Sequence, residues 1–417
     1  MRCPFERREV TLLAGLLFFS FLVRILFFPN PGFENDLRAY EVWFNTAAKY
    51  GPRPFYNVVI WTDYPPFNVY IFWVFGSIAK NLSFFGSTLM RYIIKLPPNI
   101  FDLATSTIIF IFVRKRLNLK MALTSTTLYA FNPALIFDAA VWGQFDPIYT
   151  FFLTLSLLLV LESKTELATA AFMLGILTKP QSIALAPLLI FLIVRNYNWR
   201  GVITSVGAAA ITVFAVILPL EWTNNNPVTF LSSIYFGAYG TYPYTTVNAF
   251  NIWSFGGMWE ADTTVLLFLN LYTIGWIMFG TLAAFTLYFV YRRLRISEEI
   301  VVLFSAFVLF FGFFMLPTRI HERYLFPAFS VMVLLIPFVK KMRFVYAILT
   351  GTYLINLAYV LSFLNSGNFI SDGDPVVIAV GLINLVVLEY VLMLMWSAIN
   401  SNKLSNSCSA ETSRKTK

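Results

Sequence analysis

Carboxylates, cations and aromatic residues gather in four short segments between the apolar runs of this 417-residue chain. In the first segment, Asp36 opens an amphipathic stretch that carries Tyr40 and Trp43. A carboxylate at the start of a helix could be an N-cap that accepts the free amides of the first turn. It could also be a general base that takes the proton of a reacting hydroxyl. The residue types alone leave both roles open.

Two further acidic segments combine carboxylates with aromatic and amide side chains. Asp63 and Tyr64 stand before Pro65 and Pro66, and such prolines favour the start of a helix. A Trp in segment 137–147 is ordinary at a membrane interface, but an aromatic belt does not explain the two carboxylates beside it. The residues that we predict to contact a substrate are Asp63, Tyr64, Asp138, Trp142, Gln144 and Asp146.

The fourth segment, 318–324, holds His321, the single histidine of the chain, together with Arg319, Glu322 and Arg323. Guanidinium groups match phosphate oxygens in a bidentate fork. We therefore predict that His321, Arg323 and Arg319 bind a phosphate group, with Glu322 in contact with substrate. The alternative is internal pairing of either arginine with Glu322 or with an acid of another loop.

Lys179 lies beside Pro180 in the middle of an apolar run. Ionisable groups inside membrane segments are candidates for function, so Lys179 joins the predicted substrate contacts, although a lysine can also snorkel to an interface. Asp372-Gly373-Asp374 has the letters of a metal-binding Asp-x-Asp, but its composition is that of an ordinary turn. With one histidine and no dense carboxylate motif, the sequence predicts no metal and no cofactor.

Long apolar runs separate these segments. The chain is 58% hydrophobic and 12% charged, with a mean hydropathy of +0.71. The runs 11–28, 202–220, 263–288 and 376–396 each approach the ~20 residues that a helix needs to cross a bilayer. The first run lacks a cleavage site for a signal peptidase and contains Arg24, which indicates a retained helix. The composition therefore predicts an all-α, polytopic transmembrane helical bundle.

A net charge of +9 is also found in nucleic-acid-binding proteins, but the positions of the basic residues along this chain give another explanation. Most Lys and Arg follow apolar runs that an inside N-terminus puts in the cytoplasm, so we predict no nucleic-acid partner. Most Asp and Glu then face outward. For any one carboxylate, the simpler explanation is that outer loops avoid Lys and Arg. The ten predicted crossings lie near 10–28, 97–113, 121–138, 147–161, 202–220, 263–290, 300–317, 324–339, 344–363 and 375–398.

Two apolar segments are not counted as crossings. The short run 67–79 is followed by Arg91 and Lys95, and a full crossing here would turn every later basic loop outward. We therefore predict an interfacial or re-entrant helix in the first outer loop. Segment 167–195 is interrupted at Thr178–Gln181, which predicts a broken or re-entrant hairpin. The predicted organisation is first helix 1–28, large outer loop 29–96, helical module 97–220, outer loop 221–262, helical module 263–400 and disordered cytoplasmic tail 401–417.

The motifs at these loops resemble, in order, those of the GT-C superfamily of polyisoprenyl-phosphate-sugar-dependent glycosyltransferases. Asp36-x-x-Ala39-x-x-x-Trp43 and then Asp63-Tyr64-Pro65-Pro66-x-x-x-Tyr70 are similar to the first luminal loop of the endoplasmic-reticulum glucosyltransferases that complete the N-glycan precursor. His321-Glu322-Arg323 resembles their His-Glu-Lys motif, and 132–144 their second luminal loop. Gly143-Gln144-Phe145 departs from their His-Phe-Gln segment. Lys179-Pro180-Gln181 is similar to prokaryotic relatives of the mannosyltransferase that adds the second mannose of GPI anchors.

This resemblance implies an inverting, metal-independent transfer of mannose or glucose from a polyprenyl- or dolichyl-phosphate sugar. The acceptor would be a lipid-linked oligosaccharide or another glycan on the extracytoplasmic or luminal face of a cell membrane or an endoplasmic-reticulum membrane. Asp36 would be the base, and the region of His321 and Arg323 would bind the donor phosphate. The alternatives are a transporter or lipid flippase, suggested by the break at Lys179, and a non-catalytic scaffold.

Overall fold

Helices dominate the computed structural model, which describes residues 5–196, 199–222 and 225–400 and is 75% helical. The predicted tail 401–417 and both cysteines, Cys3 and Cys408, lie outside these residues. In chain order the α-helices are α1 (Arg7–Ile25), α2 (Glu34–Tyr50), α3 (Phe55–Val58), α4 (Phe67–Asn81), α5 (Met90–Arg116), α6 (Leu119–Ala130), α7 (Pro133–Ile136), α8 (Asp146–Leu161), α9 (Thr165–Ile176), α10 (Ala186–Asn196), α11 (Trp199–Ile217), α12 (Pro227–Gly240), α13 (Leu271–Arg293), α14 (Glu298–Met315), α15 (Phe326–Leu335), α16 (Met342–Ser366) and α17 (Pro375–Asn400).

Strands are few and short in the described residues. β1 (Thr246–Val247) pairs in parallel with β4 (Ile320–His321), and this pairing ties the segment before α15 to the loop after α12. β2 (Val265–Leu266) and β3 (Leu269–Asn270) form an antiparallel hairpin before α13. The all-α prediction is therefore confirmed in its main feature.

Six of the described helices are long and apolar enough to cross a membrane: α5, α11, α13, α14, α16 and α17. Shorter apolar helices, among them α8 and α9, pack beside them. α15 has only 10 residues, and about 15 Å of helix does not cross ~30 Å of hydrocarbon. The protein is membrane-embedded, and its bundle combines full-length helices with shorter ones.

Basic residues in the last turn of α5 meet acids from the ends of three other helices at one end of the bundle. Arg116 at the end of α5 pairs with Glu162 after α8 at 2.9 Å and with Glu299 at the start of α14 at 2.6 Å. Arg114 pairs with Glu9 in the first turn of α1 at 2.7 Å. Segments that the sequence assigns to the cytoplasm thus lie together, and we call this the basic end.

One helix extends beyond its predicted crossing, and the predicted start of another is wrong. α5 begins at Met90 instead of 97 and continues through Pro97 and Pro98, where Asn99 supplies polar contacts by donating its side-chain amide to the carbonyls of Lys95 and Ala139. The crossing predicted from 263 begins at Leu271, since the Asn270 side chain caps α13 by accepting the Thr273 amide.

The predicted crossing 121–138 is interrupted in the structure. α6 ends at Ala130, and the Asn132 side chain accepts the amides of Ala134 and Leu135 to start the short α7. A π-helical turn, Phe137–Trp142, follows. Such turns are rare and occur often at functional sites.

The structure contains the short helix predicted after Pro66 and the break predicted in segment 167–195. The apolar run after Pro66 forms α4, which is not among the helices long enough to span. Segment 167–195 is broken as predicted, because α9 ends at Ile176 and a 3₁₀ turn, Pro180–Leu185, leads into α10. Arg195 near the end of α10 donates to the Tyr291 carbonyl at the basic end, so the turn at Lys179, before α10, lies away from that end.

Candidate functional site

Asp36 lies in the first turn of α2, which begins at Glu34 with Phe33 at the N-cap position. Its carboxylate oxygen Oδ2 accepts hydrogen bonds from Trp142 Nε1 at 3.0 Å and from Gln144 Nε2 at 2.7 Å. The N-cap interpretation is therefore wrong. These two donors fix the orientation of the carboxylate, and Oδ1 accepts no hydrogen bond from the part of the chain that the structure describes.

Lys95 holds the backbone around the donors to Asp36. Its buried ammonium donates to the carbonyls of Asn30 at 2.7 Å, Val141 at 2.8 Å and Phe28 at 3.3 Å. This contact joins the end of the first helix to the π-helical turn that carries Trp142. Sequence reasoning missed this role, because Lys95 was treated only as a basic residue of the first outer loop.

A second set of charges lies where the break between α9 and α10 meets α8. Lys179 Nζ contacts Asp146 Oδ2 at 2.8 Å, and Arg323 Nε lies 3.7 Å from the same oxygen. Arg323 Nη1 also pairs with Glu322 Oε1 at 2.8 Å. Asp146 and Glu322 are both buried, and their ion pairs hold the cations in place.

The cations line one cavity of about 170 Å³, which we call the first cavity. Its polar lining includes Asp63, Tyr64, Lys179, Gln181, Tyr242, Thr318, Arg319, His321, Arg323 and Tyr324. Ile183, Trp276 and Phe313 line an apolar part of the same cavity. A molecule with an anionic group and a hydrocarbon tail would find complementary surfaces for both.

Arg319 is held by an acid of another loop, as in the internal-pairing alternative. Its Nε donates to Asp262 Oδ2 at 2.7 Å and its Nη2 to Oδ1 at 3.2 Å, while the guanidinium lies 4.8 Å from the centre of the Tyr272 ring. Arg323 follows the same alternative through Glu322, but its buried Nε lacks a hydrogen-bond partner among the described residues. The nearest acid to this Nε is Asp146, whose Oδ2 lies 3.7 Å away, so the guanidinium is held between Glu322 and Asp146.

Burial controls the protonation of the residues at the cavity wall. It lowers the pKa of His321 well below its usual range, and the charges of Arg323 and Lys179 lower the pKa further. Burial raises the pKa of Asp63, and the same two cations offset part of the increase. Burial also raises the pKa of Glu322, against the attraction of Arg323. His321 is thus a neutral hydrogen-bonding group at pH 7.

An aromatic and hydroxyl network connects Asp36 with the first cavity. Gln144, which donates to Asp36, lies with its Oε1 3.5 Å from the Tyr40 hydroxyl, and that hydroxyl bonds to the hydroxyl of Tyr64. Tyr64 lines the cavity. Asp36 itself does not belong to the lining, and Gln144 and Tyr40 stand between it and Tyr64 in this network.

The remaining predicted contacts are buried behind the first cavity. Asp138 in the π-helical turn faces Tyr353, whose hydroxyl lies 3.5 Å from Oδ1, and its Oδ2 lacks a partner in the described residues. Asp138, Trp142, Gln144, Asp146 and Glu322 line none of this cavity. Of the predicted site residues, Asp63, Tyr64, Lys179, Arg319, His321 and Arg323 are brought together at its surface.

The Asp372-Gly373-Asp374 segment has the structural role of a turn. Asp374 Oδ1 accepts the amides of Val376 and Val377 at the start of α17, and Oδ2 accepts the Tyr359 hydroxyl. Within residues 5–196, 199–222 and 225–400, no group of three His, Cys, Asp or Glu side chains is arranged to hold a metal ion.

Asp262 and Tyr242 also belong to the site, although the sequence did not indicate them. Asp262 fixes Arg319, and Tyr242 packs edge-on against His321 with ring centres 5.2 Å apart. The acidic residue in an outer loop was the available signal for Asp262.

Comparison with known proteins adds no relative, because the chain matches no protein-family model and no curated protein.

Proposed function

We propose that this protein transfers a hexose, mannose or glucose, from a polyprenyl- or dolichyl-phosphate sugar to a glycan acceptor at the extracytoplasmic or luminal membrane face. The observation that carries the proposal is the first cavity, which combines Lys179, His321 and Arg323 with an apolar wall. A lipid-phosphate donor needs cations for its phosphate and an apolar surface for its tail. The GT-C-like bundle with about ten crossings is part of the same proposal.

The donor phosphate would bind at Arg323, with Lys179, His321 and Arg319 around it. Arg323 is held between Glu322 and Asp146, and its guanidinium lines the cavity in which the phosphate would lie. Cations positioned in a site with little water stabilise charge that develops on a leaving phosphate far more than they would in bulk water. Because Asp146 and Glu322 hold the cations before the donor arrives, little reorganisation is needed.

Asp36 would act as the general base. The acceptor hydroxyl would give its proton to Asp36 as its oxygen attacks the anomeric carbon from the face opposite the phosphate. The bond between the anomeric carbon and the phosphate oxygen then breaks, and the lipid phosphate leaves with the bonding electrons. Trp142 and Gln144 would keep the carboxylate in position for this step, with Oδ1 toward the acceptor.

Arg323→Met tests the donor site in an in vitro transfer assay with dolichyl-phosphate mannose and dolichyl-phosphate glucose. We expect a loss of roughly 10²- to 10³-fold in turnover, the range seen when one preorganised donor to transition-state charge is removed. Arg53→Met is the matched control, because Arg53 pairs with Glu221 at an exposed position. Arg323→Lys separates charge from the guanidinium fork. Undiminished transfer by a folded Arg323→Met protein would contradict the donor site.

Lipid transport is a second candidate, favoured by the helix break at Lys179. Broken helices whose ends face a polar group are typical of transporters. Reconstituted vesicles distinguish the two functions: a transporter moves a labelled lipid-phosphate sugar across the bilayer without an acceptor, whereas a transferase consumes it only when an acceptor is present.

A further inference from the structure

A second cavity of about 270 Å³ shares Asp63 with the first cavity. It lies between the segment around Tyr56 and Trp61 and the helix α12, whose Phe230 and Ser233 form part of its wall. The sequence predicts no binding site at this second cavity as a whole. Asp63 stands at the junction, so ligands in the two cavities would meet at this carboxylate.

The hydroxyl groups of the second cavity form a set of hydrogen-bonding positions. Ser233 donates to the Phe230 carbonyl and Thr241 donates to the Gly237 carbonyl, so both hydroxyl oxygens keep lone pairs for a donor. Thr62 Oγ1 accepts the Tyr64 amide and keeps its own hydrogen to donate. A ligand that carries several hydroxyl groups can satisfy all three side chains.

Asp63 contributes an acceptor that the protein leaves unused. Its Oδ1 is buried and has no hydrogen-bond partner among the described residues. A buried acceptor without a partner is costly, and a ligand hydroxyl would remove that cost. No Lys, Arg or His belongs to the described lining of this second cavity, so its wall offers no direct cation contact to an anionic ligand.

Aromatic rings provide the remaining surface. Trp61 is 49% exposed. The indole N–H of Trp43 donates a hydrogen bond to the backbone carbonyl of Trp61, so this bond does not involve the Trp61 ring. The Tyr56 ring packs edge-on against Phe230, and the Tyr56 hydroxyl is fixed by the Tyr64 carbonyl. The apolar C–H face of a pyranose ring packs well on such aromatic surfaces.

From these features we infer that the second cavity binds a neutral saccharide, the sugar of the acceptor, with one of its hydroxyls on Asp63. This inference rests on the proposed function for the word acceptor, but the binding itself does not. The saccharide and the donor sugar would approach Asp63 from its two sides, because Asp63 lines both cavities.

Saccharide binding can be measured without transfer. We would use the full-length protein in lipid nanodiscs free of sugar-based detergent, and titrate methyl α-mannoside, methyl α-glucoside and their linear trisaccharides by saturation-transfer NMR. Trp61→Ala, and separately Ser233→Ala with Thr241→Val, should each weaken binding by about tenfold, as the loss of a ring contact or of two hydrogen bonds implies. Glucose 6-phosphate should bind more weakly than the neutral sugars.

Phe268→Ala is the matched control, because Phe268 is an aromatic residue, 93% exposed, at the tip of the hairpin before α13. It should bind saccharides as the wild type does. Equal binding by the wild type and both cavity variants, or no saccharide binding by the wild type, would overturn the inference. Intact saccharide binding by a protein that transfers no hexose would instead refute the proposed function and leave the second cavity as a saccharide site.

Discussion

At the scale of single residues, the imidazole of His321 illustrates how burial decides chemistry. The ring lies between Tyr242 and Tyr324, with 5.2 Å between ring centres on each side, and the nearby cations Arg323 and Lys179 disfavour a further positive charge. The sequence predicts that His321 contacts phosphate, and in the proposed site its neutral form would contribute hydrogen bonds only. The positive charge for the proposed phosphate would then come from the arginines and the lysine.

This lowered pKa predicts a pH dependence of stability. The folded protein resists protonation of His321, whereas the unfolded chain binds the proton near pH 6.5, so stability is complete above that pH and declines as the pH falls below it. We expect the thermal unfolding midpoint of the protein in nanodiscs to fall between pH 7 and pH 5. His321→Gln should reduce this fall, and an identical decline in both proteins would contradict the assignment.

The residue types of the site were readable from the sequence, but their partners were not. Asp36, Trp142 and Gln144 were each predicted as site residues, yet their hydrogen bonds require α2 and the π-helical turn to be adjacent. Asp262 and Arg319 pair across two loops whose separation no periodicity describes. Motif content predicts chemistry, whereas contacts depend on tertiary packing.

At the scale of elements, the π-helical turn Phe137–Trp142 sets the position of the donors to Asp36. Gly32 lies directly against this turn, and a Cβ at position 32 would lie 2.4 Å from the Trp142 carbonyl oxygen. Its φ of +59° is also a backbone conformation that favours glycine. The close approach of two backbones is thus part of the geometry of the candidate base.

Gly32→Ala is expected to displace the Trp142 segment and lower transfer activity. Gly367→Ala is the control, because Gly367 lies in the left-handed region at φ +70°, and no heavy atom lies within 4 Å of the point that an added Cβ would occupy. Both variants carry the strain of a left-handed residue, about 1 kcal/mol, but only Gly32→Ala adds the clash. Turnover rates relative to thermal stability separate the two effects, and equal turnover by both variants would argue against a positioning role.

Hydropathy predicted the existence of most elements, and capping decided their ends. The break in 167–195 followed from Lys179-Pro180-Gln181, and the shortness of α4 followed from its short apolar run. The start of α13 was wrong because Asn270 caps the helix after a hairpin of apolar residues. Apolar composition cannot distinguish an exposed hairpin from the first turns of a membrane helix.

At the scale of the whole molecule, charges separate to the two ends of the bundle. Arg114 and Arg116 meet acids of other helices at the basic end, and the first cavity lies at the end where the turn at Lys179 is found. The positive-inside rule assigns the basic end to the cytoplasm. The proposed transfer then takes place on the opposite face of the membrane.

Cysteine labelling tests this orientation in a protein whose Cys3 and Cys408 are replaced by serine. Asn81→Cys, exposed at the end of α4, should react with a membrane-impermeant maleimide from outside intact cells or right-side-out vesicles. Lys341→Cys, exposed at the start of α16, should react only after permeabilisation. The reverse pattern would place the site on the cytoplasmic side.

The central claim is that Asp36 removes the proton of an acceptor hydroxyl during hexose transfer. The most direct measurement is the turnover of Asp36→Asn with a dolichyl-phosphate hexose, because asparagine keeps the shape of the side chain and loses the base. We predict a loss of roughly 10²- to 10⁴-fold, the contribution typical of general base catalysis. Glu34→Gln, two residues away and paired only with exposed Arg38, should retain wild-type turnover. Full turnover by Asp36→Asn would contradict the account.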